Sequence, residues 1–244
     1  MDRNKPKILL FDIETAPIEG YSWTMFETNI VSVTTPTYML SYAAKWLGAR
    51  SIETLALPDF PLYKKNPKSD RELVASLWRL LDEADIVVAH NADFDTKKTN
   101  ARFLANGLPP PSPYRVFCTL KTARKHFKFD SNKLDSLGGY LDFGQKLKHT
   151  GIHLWMGCMA GDPKSWKMMK RYNAHDVALL EKCYIKLRGW ATTHPNLNTY
   201  SGGTCCPTCQ STATIKRGFN FSKTRITQRF QCQSCYAFFS RPTP

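Results

Sequence analysis

The first apolar run of the chain, Lys7 to Asp12, is leucine-rich and continuous, and it predicts a buried strand. Tyr38 to Trp46 and Ser51 to Leu57 predict a second and a third strand, joined near Gly48. The period then changes. Leu73, Leu77, Leu80 and Leu81 recur at helical spacing, behind Ser69 as a cap and Glu72 as its capping-box partner. Asp85 to Ala89 returns to a short buried-strand pattern. Asp95 to Asn106 reads as a helix, stopped by Gly107 and the prolines at 109 to 111. Arg115 to Cys118 predicts a fifth strand, with short helices after it at Thr119 to Phe127 and Lys133 to Leu141. The stretch from Leu147 to Asp162 has no clear period. Pro163 takes a favourable first helical position with Asp162 as cap, and that helix is expected to run to about Arg188.

Three strands, then alternating helix and strand, then helices predict an α/β sheet of mixed direction flanked by helices. His194 to Gly203 is rich in Pro, Asn, Thr, Ser and Gly and reads as a linker. The expected division is therefore a main domain over 1–193, a linker over 194–203 and a small module over 204–244.

Charge adds a partner class. Thirty-four Lys and Arg against twenty Asp and Glu leave +14, a surplus that favours polyanions. Nucleic acid is expected rather than an anionic membrane, since no polybasic amphipathic helix appears. The small module holds Lys216, Arg217, Lys223, Arg225, Arg229 and Arg241 and no acid, so six of the fourteen charges sit in the last sixth of the chain. No run approaches eighteen apolar residues, and the N-terminal apolar stretch is too short for a secretory leader. A cytoplasmic location is the expectation.

Asp12 and Glu14 lie two apart at the end of the first strand and point to one face. Side by side they repel, and a divalent cation relieves both repulsion and lost solvation, with oxygen ligands of the kind Mg²⁺ or Mn²⁺ prefers. Read alone, the pair fits a metal site or a solvated acidic turn. Asp93 and Asp95 follow the Asp85 to Ala89 strand, where each fits an ordinary turn or cap residue. Tyr172 and Asp176 share one face of the long helix, extended by Met169 and Leu180, so that face looks to the core. An inward aspartate needs a partner.

Taken together, Asp-x-Glu on the first strand, Asn-x-x-Phe-Asp at 91–95 and Tyr-x-x-x-Asp at 172–176 resemble the DEDD exonuclease superfamily. The tyrosine resembles its DEDDy branch, which includes the proofreading domain of family B DNA polymerases and stand-alone nucleases similar to it. Thr119-Leu120-Lys121 and Ser131 to Asp135 also resemble that group, and the likeness spans roughly residues 7 to 188. It implies a ribonuclease H-like fold and a two-metal mechanism with two Mg²⁺ or Mn²⁺ ions. Asp12, Glu14 and Asp176 would hold one ion, Asp12 would bridge to the second, and Asp95 would complete the cluster. Tyr172 would orient the attacking water, being a poor base at neutral pH. His175 is not the histidine of the DEDDh branch, whose position here is Arg171. Asn91 fits a loop-fixing role better than a metal ligand. Lys133 fits either a phosphate contact or a solvated helix start, and Thr15 is a further candidate for contact with nucleic acid.

Cys206-x-x-Cys209 and Cys232-x-x-Cys235, separated by 22 residues, have the spacing of a tetrahedral Zn²⁺ site and resemble a zinc ribbon. A module of about forty residues has too little core to stand alone, so a metal would replace one. Cys205 is a less suitable stand-in for Cys206. Phe219, Phe221, Phe230, Tyr236, Phe238 and Phe239 interleave with the basic residues, either stacking on bases beside Lys216, Arg217, Arg225 and Arg229 or forming a miniature core. The function expected is 3′→5′ exonuclease action on single-stranded DNA 3′ ends, with a replication or repair protein as a possible partner. An exoribonuclease of the same fold and a non-catalytic nucleic-acid-binding protein are the rivals.

Overall fold

The computed structural model of the protein describes residues 5–26 and 29–242. The first four residues, part of the stretch read above as no secretory leader, lie outside that range. The central strand β1, Ile8–Thr15, is ILLFDIET. Its odd-numbered apolar residues Leu9, Phe11 and Ile13 enter one hydrophobic cluster, and Ile8 and Leu10 enter another on the opposite face. A strand covered on both sides has to be apolar at nearly every position, which is why it shows no alternation. Each such side chain, fully withdrawn from water, contributes about 1.5–3 kcal/mol.

A short hairpin follows, β2 (Glu19–Tyr21) with β3 (Ser32–Thr35), where no strand was expected. Its segments are brief and exposed, so they carry no burial pattern to read. Then come β4 (Met39–Trp46) and β5 (Glu53–Ala56), the helix α1 (Arg71–Glu83), β6 (Ile86–Ala89), α2 (Ala92–Ala105) and β7 (Arg115–Cys118). The sheet order is β5-β4-β1-β6-β7. β4 runs antiparallel to β1, and β6 runs parallel to it. The arrangement is a five-stranded mixed sheet flanked by helices, with ribonuclease H-like architecture.

Four more helices complete this body: α3 (Thr119–His126), α4 (Leu134–Tyr140), α5 (Ile152–Met159) and α6 (Pro163–Leu187). α5 lies within the stretch that had no clear period. Asp162 caps α6 as expected, accepting from the backbone of Lys164 and Ser165 at 3.2 and 3.0 Å. α6 touches both clusters, Trp166 and Met169 on one side and Val177 to Leu187 on the other.

Two expectations about helix starts change. Asp70, not Ser69, precedes α1, and it gives no side-chain cap. Its buried carboxylate instead takes a two-pronged ion pair from Arg102 at 2.6 and 2.7 Å and the backbone N–H of Met39 at 2.8 Å. A bidentate guanidinium outcompetes a single cap hydrogen bond. Glu72 accepts from the Leu62 backbone rather than closing a capping box. α2 begins at Ala92, three residues early, because Asn91 adopts φ 67° and turns the chain directly into the helix. Asparagine tolerates that left-handed conformation better than most residues.

Residues 194–203 are not a bare tether. Leu197 is buried against the second cluster, and a short helix α7 spans Asn198–Ser201. Beyond it, β8 (Thr214–Phe221), β9 (Ile226–Cys232) and β10 (Phe238–Pro242) form a separate antiparallel sheet in the order β10-β9-β8. Gly189, just after α6, lets this module approach: a β-carbon there would lie 1.9 Å from the Cys235 carbonyl oxygen.

Candidate metal centres

β1 runs on past Asp12, paired with β4 as far as Thr15, so Asp12 and Glu14 stand inside the strand. They continue the face begun by Ile8 and Leu10, which turns from apolar to acidic within one strand. α6 crosses that face and brings Asp176. Ligand oxygens of Asp12, Glu14 and Asp176 all lie within 4.8 Å of one another. Asp95 stands next to this group without joining it: it comes from the first turn of α2, buried, adds to the charge felt by Asp12, and its Oδ1 accepts the Ile13 backbone N–H at 3.4 Å. Asp93 does not join them; it is exposed and paired with Lys121 at 2.7 Å.

The electrostatics of the cluster are unfavourable as it stands. Burial raises the Asp12 carboxyl well above its ordinary value, and Asp95, Glu14 and Asp176 add to the rise. Burial likewise lifts Glu14 to about 8 and Asp95 to about 7. One Oδ1 of Asp176 is buried with no hydrogen-bond partner. Buried carboxylate oxygens are seldom left so. Three carboxylates crowded together with one oxygen unpartnered, and Asp95 beside them, fit a divalent cation of the Mg²⁺ or Mn²⁺ kind.

Several neighbours were not read from the sequence. Asn173 donates to Asp12 Oδ2 at 2.6 Å and is itself held by Ser41 at 3.1 Å, fixing the Asp12 rotamer. Trp155 stands beside Glu14. Its ring and that of His149 stand edge-on to Tyr172, with centroids 6.1 and 4.8 Å away. Lys146 donates to the Tyr172 hydroxyl at 2.9 Å and to Asp176 Oδ2. No motif points to Lys146. It sits on a strap whose shape depends on Gly144 at φ 97°. Gly138 leaves room for the strap, since a β-carbon there would lie 2.3 Å from the Gly144 carbonyl. Asp135 accepts the Lys146 backbone N–H at 2.6 Å, and His175 bonds the Gln145 carbonyl at 2.7 Å. His175 therefore ties down the strap and stays outside the acid cluster.

Tyr172 is buried on the same face of α6 as Asp176, and Lys146 donates to both, to the hydroxyl and to the carboxylate. Burial, then the Asp176 charge, push the phenol further above its ordinary value near 10. It is neutral at any physiological pH.

Clefts open on two sides of the acids. One, of about 430 Å³, is lined by Thr15, Ile18, Phe94, Lys98 and Trp155. The other, of about 610 Å³, is lined by Asn91, Arg124, Lys133 and Lys146, with His90 at its wall. Thr15, Asn91 and Lys133 thus all face a cleft beside the carboxylates.

The four knuckle cysteines also converge. Sγ of Cys206 lies 3.6 Å from that of Cys235, and Cys209 lies 3.6 Å from Cys232. Ligands about 2.3 Å from a tetrahedral Zn²⁺ would stand about 3.8 Å apart, so the donor set fits such an ion. Cys205 is not among them. Of the module's aromatics, Phe230 and Phe239 stack at 5.6 Å with the Arg241 guanidinium over both. Phe219, Phe221, Tyr236 and Phe238 are exposed. Lys216 and Arg225 are exposed, while Arg217 and Arg229 are held by Gln231 and by the Arg217 carbonyl.

No protein-family model matches the chain, and no curated protein matches it. Among solved structures it is similar to the Nibbler EXO domain of Aedes aegypti. The identity is 11%, the match covers 75% of this chain and 78% of that one, and the TM-score is 0.40.

Proposed function

We propose that the protein is a metal-dependent 3′→5′ exonuclease acting on single-stranded DNA ends, with residues 204–244 forming a structural zinc ribbon. The observation that carries this reading is the meeting of Asp12, Glu14 and Asp176 within 4.8 Å, with an unpartnered oxygen on Asp176 and Lys146 joining the Tyr172 hydroxyl to the same carboxylate. Four ionised carboxylates and one ammonium leave three negative charges, which a pair of divalent cations offsets.

Two Mg²⁺ or Mn²⁺ ions held by Asp12, Glu14, Asp95 and Asp176 would supply Lewis-acid stabilisation of the phosphate and an activated water. The chain's own groups do the rest. Tyr172, neutral and fixed by Lys146, orients the water through its hydroxyl oxygen and takes no proton. Lys146 is a positioning residue that also offsets part of the acid charge. Asn173 holds Asp12 in its rotamer, and Trp155 stands beside Glu14. The apolar cleft at Ile18 and Phe94 suits a terminal base, and the cleft at Arg124 and Lys133 suits the phosphates behind it. The preference for DNA over RNA rests on the likeness to proofreading domains.

The test uses labelled DNA and RNA strands blocked at one end or the other, with Mg²⁺ or Mn²⁺. Shortening from a free 3′ end with release of 5′-mononucleotides is expected, DNA ahead of RNA. Faster digestion of RNA would favour the exoribonuclease. Cutting of a circular single strand would overturn exonuclease action.

A further inference from the structure

One wide groove of the protein is not at the acid cluster. It lies between the end of α6 and the cysteine module and encloses about 770 Å³. Trp190, Tyr236, Phe238 and Ile185 line it, and all four are exposed, Tyr236 at 69% and Trp190 at 62%. Lys182 and Lys186 line the same groove and no acid does. Lys182 donates to the Phe143 carbonyl at 3.1 Å. Tyr236 holds a left-handed backbone, φ 63°, directly after the second knuckle. Gln210 does the same after the first knuckle, at φ 60°, so the two knuckles share one turn geometry.

We propose that this groove is a second track for unpaired nucleic acid, in which bases stack on Trp190, Tyr236 and Phe238 while Lys182 and Lys186 contact phosphates. Flat aromatic faces interleaved with cations are the chemistry of single-strand binding, because every base offers a π-face. Charge complementarity favours a polyanion over a peptide: the lining is cationic without acids, and the adjoining module carries six positive charges and no negative one. One strap of chain links the groove to the neighbourhood of the acid site. Phe143 lines it, and three residues further along the same strap Lys146 lines the cleft beside the carboxylates. Along α6, Lys182 and Lys186 lie six and ten residues beyond Asp176, about 9 and 15 Å. At the 3.4 Å spacing of stacked nucleotides, that is roughly three to four nucleotides behind the end being cut.

This inference rests on the exonuclease reading for the strand's direction but not for its binding. Binding is therefore measured separately from cleavage, with the cleavage-blocked full chain Asp12→Ala and twelve-nucleotide DNA or RNA strands carrying one photoreactive base at successive positions. Crosslinks to Trp190 or Tyr236 are expected from bases about four to six positions from the 3′ end. In the otherwise wild-type chain, Trp190→Ala is expected to raise KM for the twelve-nucleotide strand about 5- to 150-fold, the range for losing one stacked base, with kcat unchanged. A trinucleotide, too short to reach the groove, keeps its KM. Because Trp190 also packs edge-on against Phe127, the exposed pair Lys182→Gln with Lys186→Gln serves as the second variant. It should flatten the salt dependence of binding by about 1.4 log units per log unit of salt, two contacts at about 0.7 each. Crosslinks confined to other residues, with both variants indistinguishable from wild type on the long strand, would overturn the groove assignment while leaving the exonuclease intact. So would a concentration-dependent dimer that Trp190→Ala dissociates without any change in strand binding. Groove crosslinks from a protein that cuts no strand would instead sink the exonuclease and leave the track standing. Equal crosslinking of DNA and RNA would show that the track reads bases and phosphates alone.

Discussion

The acid cluster and the cysteine cluster are both groups of like-charged ligands gathered in one place, yet they are supported in opposite ways. Asp12, Glu14, Asp95 and Asp176 stand on strands and helices that two large hydrophobic clusters hold together without them. The cysteines are themselves the core of their module: Cys206, Cys232 and Ala237 are its buried apolar residues, with Cys209, Cys235 and Phe239 packed around them. In the first region the fold comes first and imposes an electrostatic cost on the site. In the second the site must be satisfied before there is a fold. A bound cation should therefore tune the first region and create the second.

The largest expected effect is on the module. Structural zinc in small domains is worth on the order of 10 kcal/mol. A strong chelator, or Cys232→Ser, should abolish hydrogen-exchange protection in β8 to β10 and leave β1, β4 and β6 protected. Retained protection in β9 after complete zinc loss would end the contrast. Next comes the acid cluster. Asp12→Ala, Asp95→Ala or Asp176→Ala should lower single-turnover cleavage by at least about a thousandfold, since metal stabilisation supplies several kcal/mol. The circular dichroism of each variant should match wild type. Near-normal turnover by any of them removes that residue from the mechanism.

The third effect is on stability against pH. Glu14 is held up to about 8 and Asp95 to about 7, chiefly by burial, against ordinary values near 4. Between those limits the folded chain keeps protons that the unfolded chain has lost, so stability falls as pH rises. His90 and His194, held down to about 4 by burial, act in the opposite sense, but only below about 6.5. Without divalent ions, the Tm of wild type should drop from pH 6.5 to 8 relative to Glu14→Gln, and Mn²⁺ should reverse the difference. Parallel melting profiles for the two proteins would show that Glu14 carries no strain. The smallest effect belongs to Tyr172→Phe. An orienting hydrogen bond of about 1–3 kcal/mol corresponds to a loss of roughly tenfold to a few hundredfold in the chemical step. Wild-type single-turnover rates would mean that the hydroxyl is idle.

Much of the sheet was legible because its strands are short, largely apolar and bounded by acids or turn residues. Tyr38 to Trp46 and Arg115 to Cys118 match β4 and β7 to within a residue. The helix α5 was not legible. Its sequence IHLWMGCM is apolar on most sides, so it offers no stripe to read. The same ambiguity hid Trp155, which stands beside Glu14. The hairpin of β2 and β3 was missed for the opposite reason, being too exposed to carry a pattern. Ser69 was read as the cap of α1 in place of Asp70, whose bidentate bond to Arg102 depends on a residue 32 positions away.

By itself the sequence determined what local periodicity and spacing encode: the central strand and its acids, the capped long helix with Tyr172 and Asp176 on one face, and the paired knuckles. Those features are set by neighbours within a few residues, where chain geometry is nearly invariant. Only the tertiary structure decided that Lys146 reaches Tyr172 and Asp176 and that Asn173 rather than His175 touches Asp12. It alone placed Trp190 beside Tyr236 in one groove. The reason is physical. Each of these contacts is made by side chains far apart in sequence, and each depends on where packing halts the backbone: at Gly138 against Gly144, and at Gly189 against Cys235, where the absence of one β-carbon allows the approach.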